Sequence, residues 1–186
     1  MGTLIQHSFS STTAVVAWMI ALSSYAAAEL PAIGRAPSAL RAEVLQPNGE
    51  YAESELVAES QEKPVVYLLI PATRWDRPIA RFLKTLDEKL PGSSAKAEVR
   101  AVWLTADAAA TREYLQRVAQ SLQLQRTSLA LVADEAGPAG WQVAGGVQLA
   151  VVVAYHGKVV AATELGSANE TDVPPVVEAV AKALDE

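Results

Sequence analysis

The hydrophobic pattern is most informative in residues 65–92. Residues 65–70 are apolar without interruption, and a run of this length that is rich in β-branched and aromatic side chains predicts a strand buried on both faces. The positions that follow repeat at the i, i+3, i+4, i+7 and i+11 spacing of one helix face: Ile79, Phe82, Leu83, Leu86 and Leu90. Pro91-Gly92 ends this stripe. The pattern therefore predicts a buried strand followed at once by an amphipathic helix.

A second strand and helix follow the first pair. Residues 97–104 alternate and then become apolar, which predicts a second parallel strand, and a short strand is predicted at 129–132. Thr105 or Asp107 is expected to cap the intervening helix, because both side chains can accept a backbone N–H bond. Its apolar positions keep helical spacing: Tyr114, Leu115, Val118, Ala119 and Leu122. Two strand–helix units in succession imply right-handed crossovers within one sheet.

Hairpins are predicted on both sides of this central region. Residues 40–57 form two short strands around Asn48-Gly49, because both turn residues tolerate a positive φ. The segment 147–165 is predicted to be a second, apolar hairpin that turns at His156-Gly157. A final helix follows, for which Asp172 is the expected cap.

Residues 1–28 differ in character from the rest of the chain. Residues 14–22 are apolar and residues 25–28 offer the small-residue pattern of a signal-peptidase site, which predicts a cleaved secretory signal peptide. The alternative is an uncleaved anchor, although the stretch is shorter than the roughly 20 residues that a spanning helix needs. Residues 29–39 have the Pro, Gly and small residues of a mobile linker, and residues 40–186 form the domain. We therefore expect an exported protein, periplasmic or extracellular.

Composition limits the classes of partner and chemistry. With 186 residues, 51% of them hydrophobic, the chain is long enough for one domain with a sizeable core. A net charge of −6 without a cluster of Lys or Arg disfavours binding to nucleic acid or to an anionic membrane surface. The chain contains no cysteine, so its stability depends on core packing without disulfides.

The joint between the first predicted strand and helix resembles a known motif. Residues 75–79 read Trp-Asp-Arg-Pro-Ile and are similar to the Trp-Cys-Gly-Pro-Cys motif of the thioredoxin superfamily, with Asp76 and Ile79 in place of the cysteines. The leading hairpin and the stretch 129–160 also resemble the redoxin branch, which holds the peroxiredoxins and the exported thiol-disulfide oxidoreductases. The resemblance implies an α/β, three-layer thioredoxin-like fold, in which helices flank a central mixed sheet with an N-terminal β-hairpin.

The departures from the family pattern fall on the residues that perform its chemistry. By that pattern Asp76 takes the place of the nucleophilic cysteine and Ile79 that of the resolving one, whereas a peroxiredoxin-like alignment puts Pro78 at the peroxidatic position. Leu149 or its neighbour Gln148 replaces the family's cis-proline, which presents an extended substrate chain to the active site. Because thiol exchange needs a thiolate, both alignments exclude it.

Three functions stay open on this basis. The leading hypothesis is a protein-binding or scaffold module without thiol redox activity, whose partner is another protein that contacts the degenerate active-site surface. The alternatives are an accessory component of a thiol-disulfide oxidoreductase system and an enzyme that uses Asp76 as a carboxylate. No cofactor and no metal site are predicted, since His156 lies in a turn without a second histidine or a cysteine near it in sequence.

Five side chains have two interpretations each. Asp76 is either a catalytic carboxylate or a helix cap, and a cap at the positive end of the helix dipole favours the ionised form. Arg74 and Arg77 either hold an anion at the helix start or are solvated or paired. Trp75 and Trp141 are expected to be partly exposed, so that either ring could anchor a protein partner rather than belong to the core.

Overall fold

The predicted pattern produces seven strands and three α-helices in the part of the chain that the structure describes. The computed structural model describes residues 29–58, 63–90 and 97–185. The strands are β1 Arg41–Leu45, β2 Tyr51–Glu55, β3 Val65–Pro71, β4 Glu98–Leu104, β5 Thr127–Val132, β6 Leu149–Tyr155 and β7 Lys158–Leu165. The helices are α1 Arg77–Lys89, α2 Ala108–Leu122 and α3 Val173–Asp185. The predicted α/β class and N-terminal hairpin are confirmed.

The strand order places β3 inside a mixed sheet. The order is β2-β1-β5-β4-β3-β6-β7. β3 runs parallel to β4 and β4 parallel to β5, with α1 and α2 as the connections, whereas β6 is antiparallel to β3. The hairpins β1–β2 and β6–β7 form the two edges. Residues 65–70 are at most 1% exposed, as expected for a strand covered on both faces.

One face of the sheet is covered by all three helices. Alternate residues of β3 point to this face, namely Val66, Leu68 and Ile70. The helices add buried apolar side chains to the same cluster: Ile79, Phe82, Leu83 and Leu86 from α1, Leu115 and Val118 from α2, and Val173, Val176 and Val180 from α3. This cluster fixes the position of α1, and with it the start of that helix, relative to the sheet.

The opposite face is covered by irregular segments in the described part of the chain. Tyr67 points to this face, and Trp141, from the segment between β5 and β6, packs against it with the ring centroids 5.0 Å apart. Trp141 is 0% exposed, and its Nε1 donates to the carbonyl oxygen of Ser38 over 3.0 Å. The expectation that Trp141 is a partly exposed anchor is therefore wrong. With no described helix on this face, the segment folds back across it and buries its largest side chain.

The segment predicted to be a linker is bonded to the fold. Gly34 N–H donates to the carbonyl oxygen of Val159 over 2.8 Å, and Val159 N–H donates to that of Arg35 over 2.9 Å. Gln142 N–H donates to the carbonyl oxygen of Glu29 over 3.0 Å. These contacts hold residues 29–35 against β7 and the Trp141 segment, so this part of the stretch is not a free linker.

The predicted signal peptide, residues 1–28, lies outside the described residues. Among the helices that the structure does describe, none combines the length and the apolar character required to cross a bilayer.

A polar contact fastens the N-terminal hairpin to α2. Arg112 donates two hydrogen bonds to the Glu43 carboxylate, over 2.7 Å from Nε and 2.6 Å from a terminal nitrogen. Tyr51 Oη donates to the carbonyl oxygen of Arg112 over 2.8 Å. The hydrogen bond from Arg112 lowers the pKa of Glu43 below its ordinary value. The hairpin is thus joined to the helical face by side chains as well as by its pairing with β5.

Candidate functional site

The β3–α1 joint is built around a helix cap. β3 ends at Pro71, residues Ala72–Arg74 form a turn of 3-10 helix, and α1 begins at Arg77. Asp76 is the N-cap, and its Oδ1 accepts a hydrogen bond from the backbone N–H of Ile79 over 3.0 Å. Proline in the first helical turn costs no backbone bond, because the N–H groups there have no partner within the helix. The cap interpretation of Asp76 is confirmed.

The second oxygen of Asp76 is bonded across the fold. Gln148, the residue before β6, donates from Nε2 to Asp76 Oδ2 over 2.8 Å. The same side chain accepts from the backbone N–H of Ala168 at Oε1 over 2.8 Å. Of the two residues expected at the cis-proline position, Gln148 therefore contacts the joint, whereas Leu149 is the fully buried first residue of β6. Both Asp76 oxygens serve structural hydrogen bonds.

The positions that resemble the two cysteine sites have different surroundings. Asp76 is exposed, whereas Ile79 is 0% exposed and belongs to the core beneath α1. Pro78 lies between them and is partly buried. The face of the joint that a partner can touch therefore consists of Asp76 and its neighbours Trp75 and Arg77, and Ile79 takes no part in it.

Trp75 is partly exposed, as predicted, and is held from two sides. Its ring packs against that of Trp103 in β4 at 4.9 Å between centroids. Its Nε1 donates to the Tyr114 hydroxyl over 2.9 Å. Trp103 itself is buried in the core. Trp75 therefore has a fixed position between the core and the exposed surface of α2.

A groove of about 420 Å³ runs between the start of α1 and the middle of α2. One wall is the joint, with Trp75, Asp76, Arg77 and Ala80. The facing wall is one stripe of α2, with Tyr114, Arg117, Val118, Ser121 and Leu122. Tyr114, which has the spacing of a buried position, is instead 39% exposed, because it lies at the border of the apolar stripe of α2 and forms the wall of this groove.

The charge of the groove is mainly positive. Arg77 and Arg117 line it, and Arg74 is exposed directly before Trp75. None of these three arginines belongs to a salt bridge between residues that the structure describes. Arg117 lies over the Tyr114 ring at 5.4 Å from its centroid. The sequence motif indicated Arg74 and Arg77 but not Arg117, for which the available signal was its i+3 position relative to Tyr114 on α2.

The chemistry that this arrangement offers is recognition. Two aromatic side chains and two cations face the groove, and the carboxylate beside them is occupied by the N–H of Ile79 and by Gln148. Aromatic and arginine side chains are the types that most often dominate binding free energy at protein interfaces. Trp141 lies on the opposite face of the sheet and does not contribute.

Comparison with known proteins gives a structural answer only, since no protein-family model and no curated protein sequence matches the chain. An uncharacterized thioredoxin-like protein from Porphyromonas gingivalis is similar with a TM-score of 0.58 at 16% identity, over 82% of this chain and 94% of that one. A peroxiredoxin-like protein from Aquifex aeolicus gives 0.56 at 16% identity, over 83% and 88% of the two chains. A secreted thiol-disulfide isomerase from Corynebacterium glutamicum gives 0.56 at 16%, over 81% and 86%. The chain thus has the thioredoxin-like fold of peroxiredoxins and thiol-disulfide isomerases, as its sequence motif predicted, and it has that fold without a cysteine.

Proposed function

We propose that this chain is an exported thioredoxin-like module that binds another protein at the β3–α1 joint and does not exchange electrons with it. The observation that supports the proposal is the groove beside Trp75. It combines a fixed, partly exposed aromatic ring with arginines that form no salt bridge to a described residue, at the joint where Asp76 and Ile79 stand in place of the motif's two cysteines.

The loss of redox activity follows from chemistry. Thiol-disulfide exchange proceeds through a mixed disulfide, and reduction of peroxide by a peroxiredoxin-type site begins with attack by a thiolate. The sequence holds no cysteine at the joint or elsewhere. The purified full chain is expected to show no insulin reduction and no peroxide consumption above buffer, and measurable turnover in either assay would contradict this part of the proposal.

Retention of the fold suggests that the surface has another use. Asp76 caps α1, Gln148 connects the joint to the start of β6, and Trp75 packs on the core. A binding role uses all three contacts, because they hold the groove walls in place before a partner docks. The entropic cost of ordering these walls on binding is therefore small. Export is supported by the apolar N-terminal sequence of residues 14–22 and by the name of the Corynebacterium glutamicum neighbour, a secreted protein.

The experiment compares proteins captured by the wild-type chain with those captured by two variants. Trp75→Ala removes the aromatic wall of the groove. Ile33→Ala is the matched control, because Ile33 is a large hydrophobic side chain that is 65% exposed and lies in the N-terminal segment, away from the residues that line the groove. Circular dichroism first establishes that both variants fold.

The proposal predicts a set of proteins, quantified by mass spectrometry, that the wild type and Ile33→Ala retain and Trp75→Ala loses. Identical sets for all three baits would contradict binding at the joint. If the lost set consists of thiol-disulfide oxidoreductases, the accessory role within such a system is the specific form of the proposed function.

A further inference from the structure

The partner-binding groove has a charge opposite to that of the chain as a whole. The full sequence has a net charge of −6, yet Arg77 and Arg117 both line the groove, and Asp76 is the single acidic residue among the described residues that line it. The two Asp76 oxygens already accept from the Ile79 N–H and from Gln148. The groove therefore offers two cations whose charge no described residue neutralises through a salt bridge.

The other arginines on these helices differ in this respect. Arg81, one turn further along α1, pairs with Glu170 at 3.1 Å. Arg112, on α2, donates two hydrogen bonds to Glu43. Of the arginines on α1 and α2, the two that line the groove are thus the ones without a salt bridge to a described residue.

The geometry of Arg117 leaves its donors accessible. Its guanidinium lies over the Tyr114 ring at 5.4 Å, a contact that uses the flat face of the cation. The N–H groups lie in the plane of the guanidinium and can still bind a carboxylate at its edge. The contact also limits the movement of the side chain, so that binding orders it at a smaller entropic cost.

Apolar side chains line the groove together with the two cations. Val118 is buried at its base, and Leu122, Ala80 and Trp75 are partly buried around it. A small anion would contact the arginines and leave this surface unused. An apolar side chain with acidic neighbours would contact the apolar surface and the two arginines at the same time.

We propose that the groove binds an acidic segment of a partner protein, an inference that rests on the function proposed above. One apolar side chain of that segment packs against Trp75 and Val118, and flanking carboxylates bind Arg77 and Arg117. Charge complementarity carries the assignment, since the two groove arginines attract carboxylates, whereas the net negative charge of the chain as a whole disfavours acidic contacts elsewhere on its surface. Binding weakens as ionic strength rises, because the arginines are exposed to screening.

The test uses the full chain labelled with nitrogen-15 and a short synthetic peptide with a central leucine between runs of aspartate and glutamate. The peptide is expected to shift amide resonances in residues 75–80 and 114–122. The double variant Arg77→Glu/Arg117→Glu is expected to bind about tenfold more weakly. Arg35→Glu/Lys158→Glu carries the same charge change at exposed positions by β7 and is expected to bind as the wild type does.

Three outcomes would overturn the inference: no shift with the acidic peptide, equal binding of a peptide with Asn and Gln in place of the acids, or the same shifts produced by inorganic phosphate alone. Circular dichroism checks folding of the charge-reversed variant. If that variant does not fold, Arg77→Gln/Arg117→Gln replaces it, and an intermediate loss of binding is expected. The proposed function fails separately, through capture that does not depend on Trp75. If capture depends on Trp75 while the acidic peptide does not bind, only the partner class is wrong.

Discussion

Two aromatic pairs of nearly equal geometry lie on opposite faces of the sheet. Tyr67 and Trp141 are 5.0 Å apart with an interplanar angle of 58°, and Trp75 and Trp103 are 4.9 Å apart with an angle of 56°. In the first pair both rings are fully buried, whereas in the second Trp75 reaches the surface. The two faces differ in their cover. The irregular segment that carries Trp141 folds across one face, whereas on the other face a groove between two helices opens beside Trp75.

Hydrogen bonding separates the pairs further. Trp141 donates to the backbone of Ser38, a residue more than 100 positions away in the chain, at 3.0 Å. Trp75 donates to the hydroxyl of an exposed residue, Tyr114. Trp103 Nε1 has no partner among the described residues. The Tyr67–Trp141 pair therefore stabilises the fold, whereas the Trp75–Trp103 pair forms part of a surface that can bind a partner.

The largest expected effect is that of Trp141→Ala. Removal of a fully buried tryptophan leaves a cavity and exposes Tyr67, and substitutions of this kind cost about 3–5 kcal/mol in the free energy of unfolding. Urea unfolding followed by circular dichroism measures it. Trp75→Ala is the matched comparison and should cost less, because its ring is already partly exposed; an equal or larger cost would contradict the distinction between the two pairs.

Gly137→Ala tests whether the segment around Trp141 is as tightly fixed as the buried ring implies. Gly137 has a φ of +90°, and a Cβ there would collide with the backbone carbonyl of Trp141. We expect a loss of about 1–3 kcal/mol in unfolding free energy. Gly145→Ala is the control in the same segment, because nothing lies within 4 Å of its Cβ position and its φ is not in the left-handed region; it should change stability little. Equal effects of the two substitutions would show that the segment adapts.

The contribution of Asp76, which caps α1 next to Trp75, can be measured against a second helix cap in the same chain, Asp107. Asp76 and Asp107 both cap helices and both accept the third backbone N–H at 3.0 Å, but only Asp76 also accepts from Gln148. Asp107→Ala should cost about 1 kcal/mol, and Asp76→Ala about 1 kcal/mol more. Thermal and urea unfolding give both values.

A double-mutant cycle checks the origin of that difference. If the Gln148 bond is responsible, Gln148→Ala should cost less in the Asp76→Ala background than in the wild type. Additive costs would instead mean that Asp76 acts through its cap alone.

The smallest effect is expected for Glu43→Gln, which concerns the contact between β1 and α2. The hydrogen bond from Arg112 lowers the pKa of Glu43 below 4.5, so the contribution of the contact is present above that pH and is lost as pH falls through the folded-state pKa. The wild type should therefore lose stability below about pH 4.5 more steeply than Glu43→Gln. Melting temperatures from neutral to acidic pH measure the slopes, and parallel curves would contradict a folded-state contribution of this pair.

Local sequence signals located the framework well. The apolar run at 65–70 became β3, and the stripe from Ile79 to Leu86 became the buried face of α1. The rule for helix caps identified Asp76 and, as one of two candidates, Asp107. It was less successful at Asp172, whose carboxylate accepts from the N–H of Asn169 in the turn before α3.

The contacts of the candidate site could not be predicted in the same way. Gln148 meets Asp76 across 72 positions of sequence, and Arg117 enters the groove because α2 packs beside α1. The exposures of Trp75, Tyr114 and Trp141 depend on neighbours from other elements. No spacing rule within one element contains this information.

By itself, the sequence determined the succession of strands and helices, the cap at the start of α1 and the absence of thiol chemistry, because periodicity, capping and residue identity act over a few positions. Only the tertiary structure decided which face of the sheet each aromatic ring joins, which arginines form salt bridges within the described part of the chain, and where a groove opens. Those properties arise from packing between segments that are distant in sequence. Trp141 shows why: the glycine-rich sequence around it is the same whether the segment is exposed to solvent or folds back over an uncovered face of the sheet.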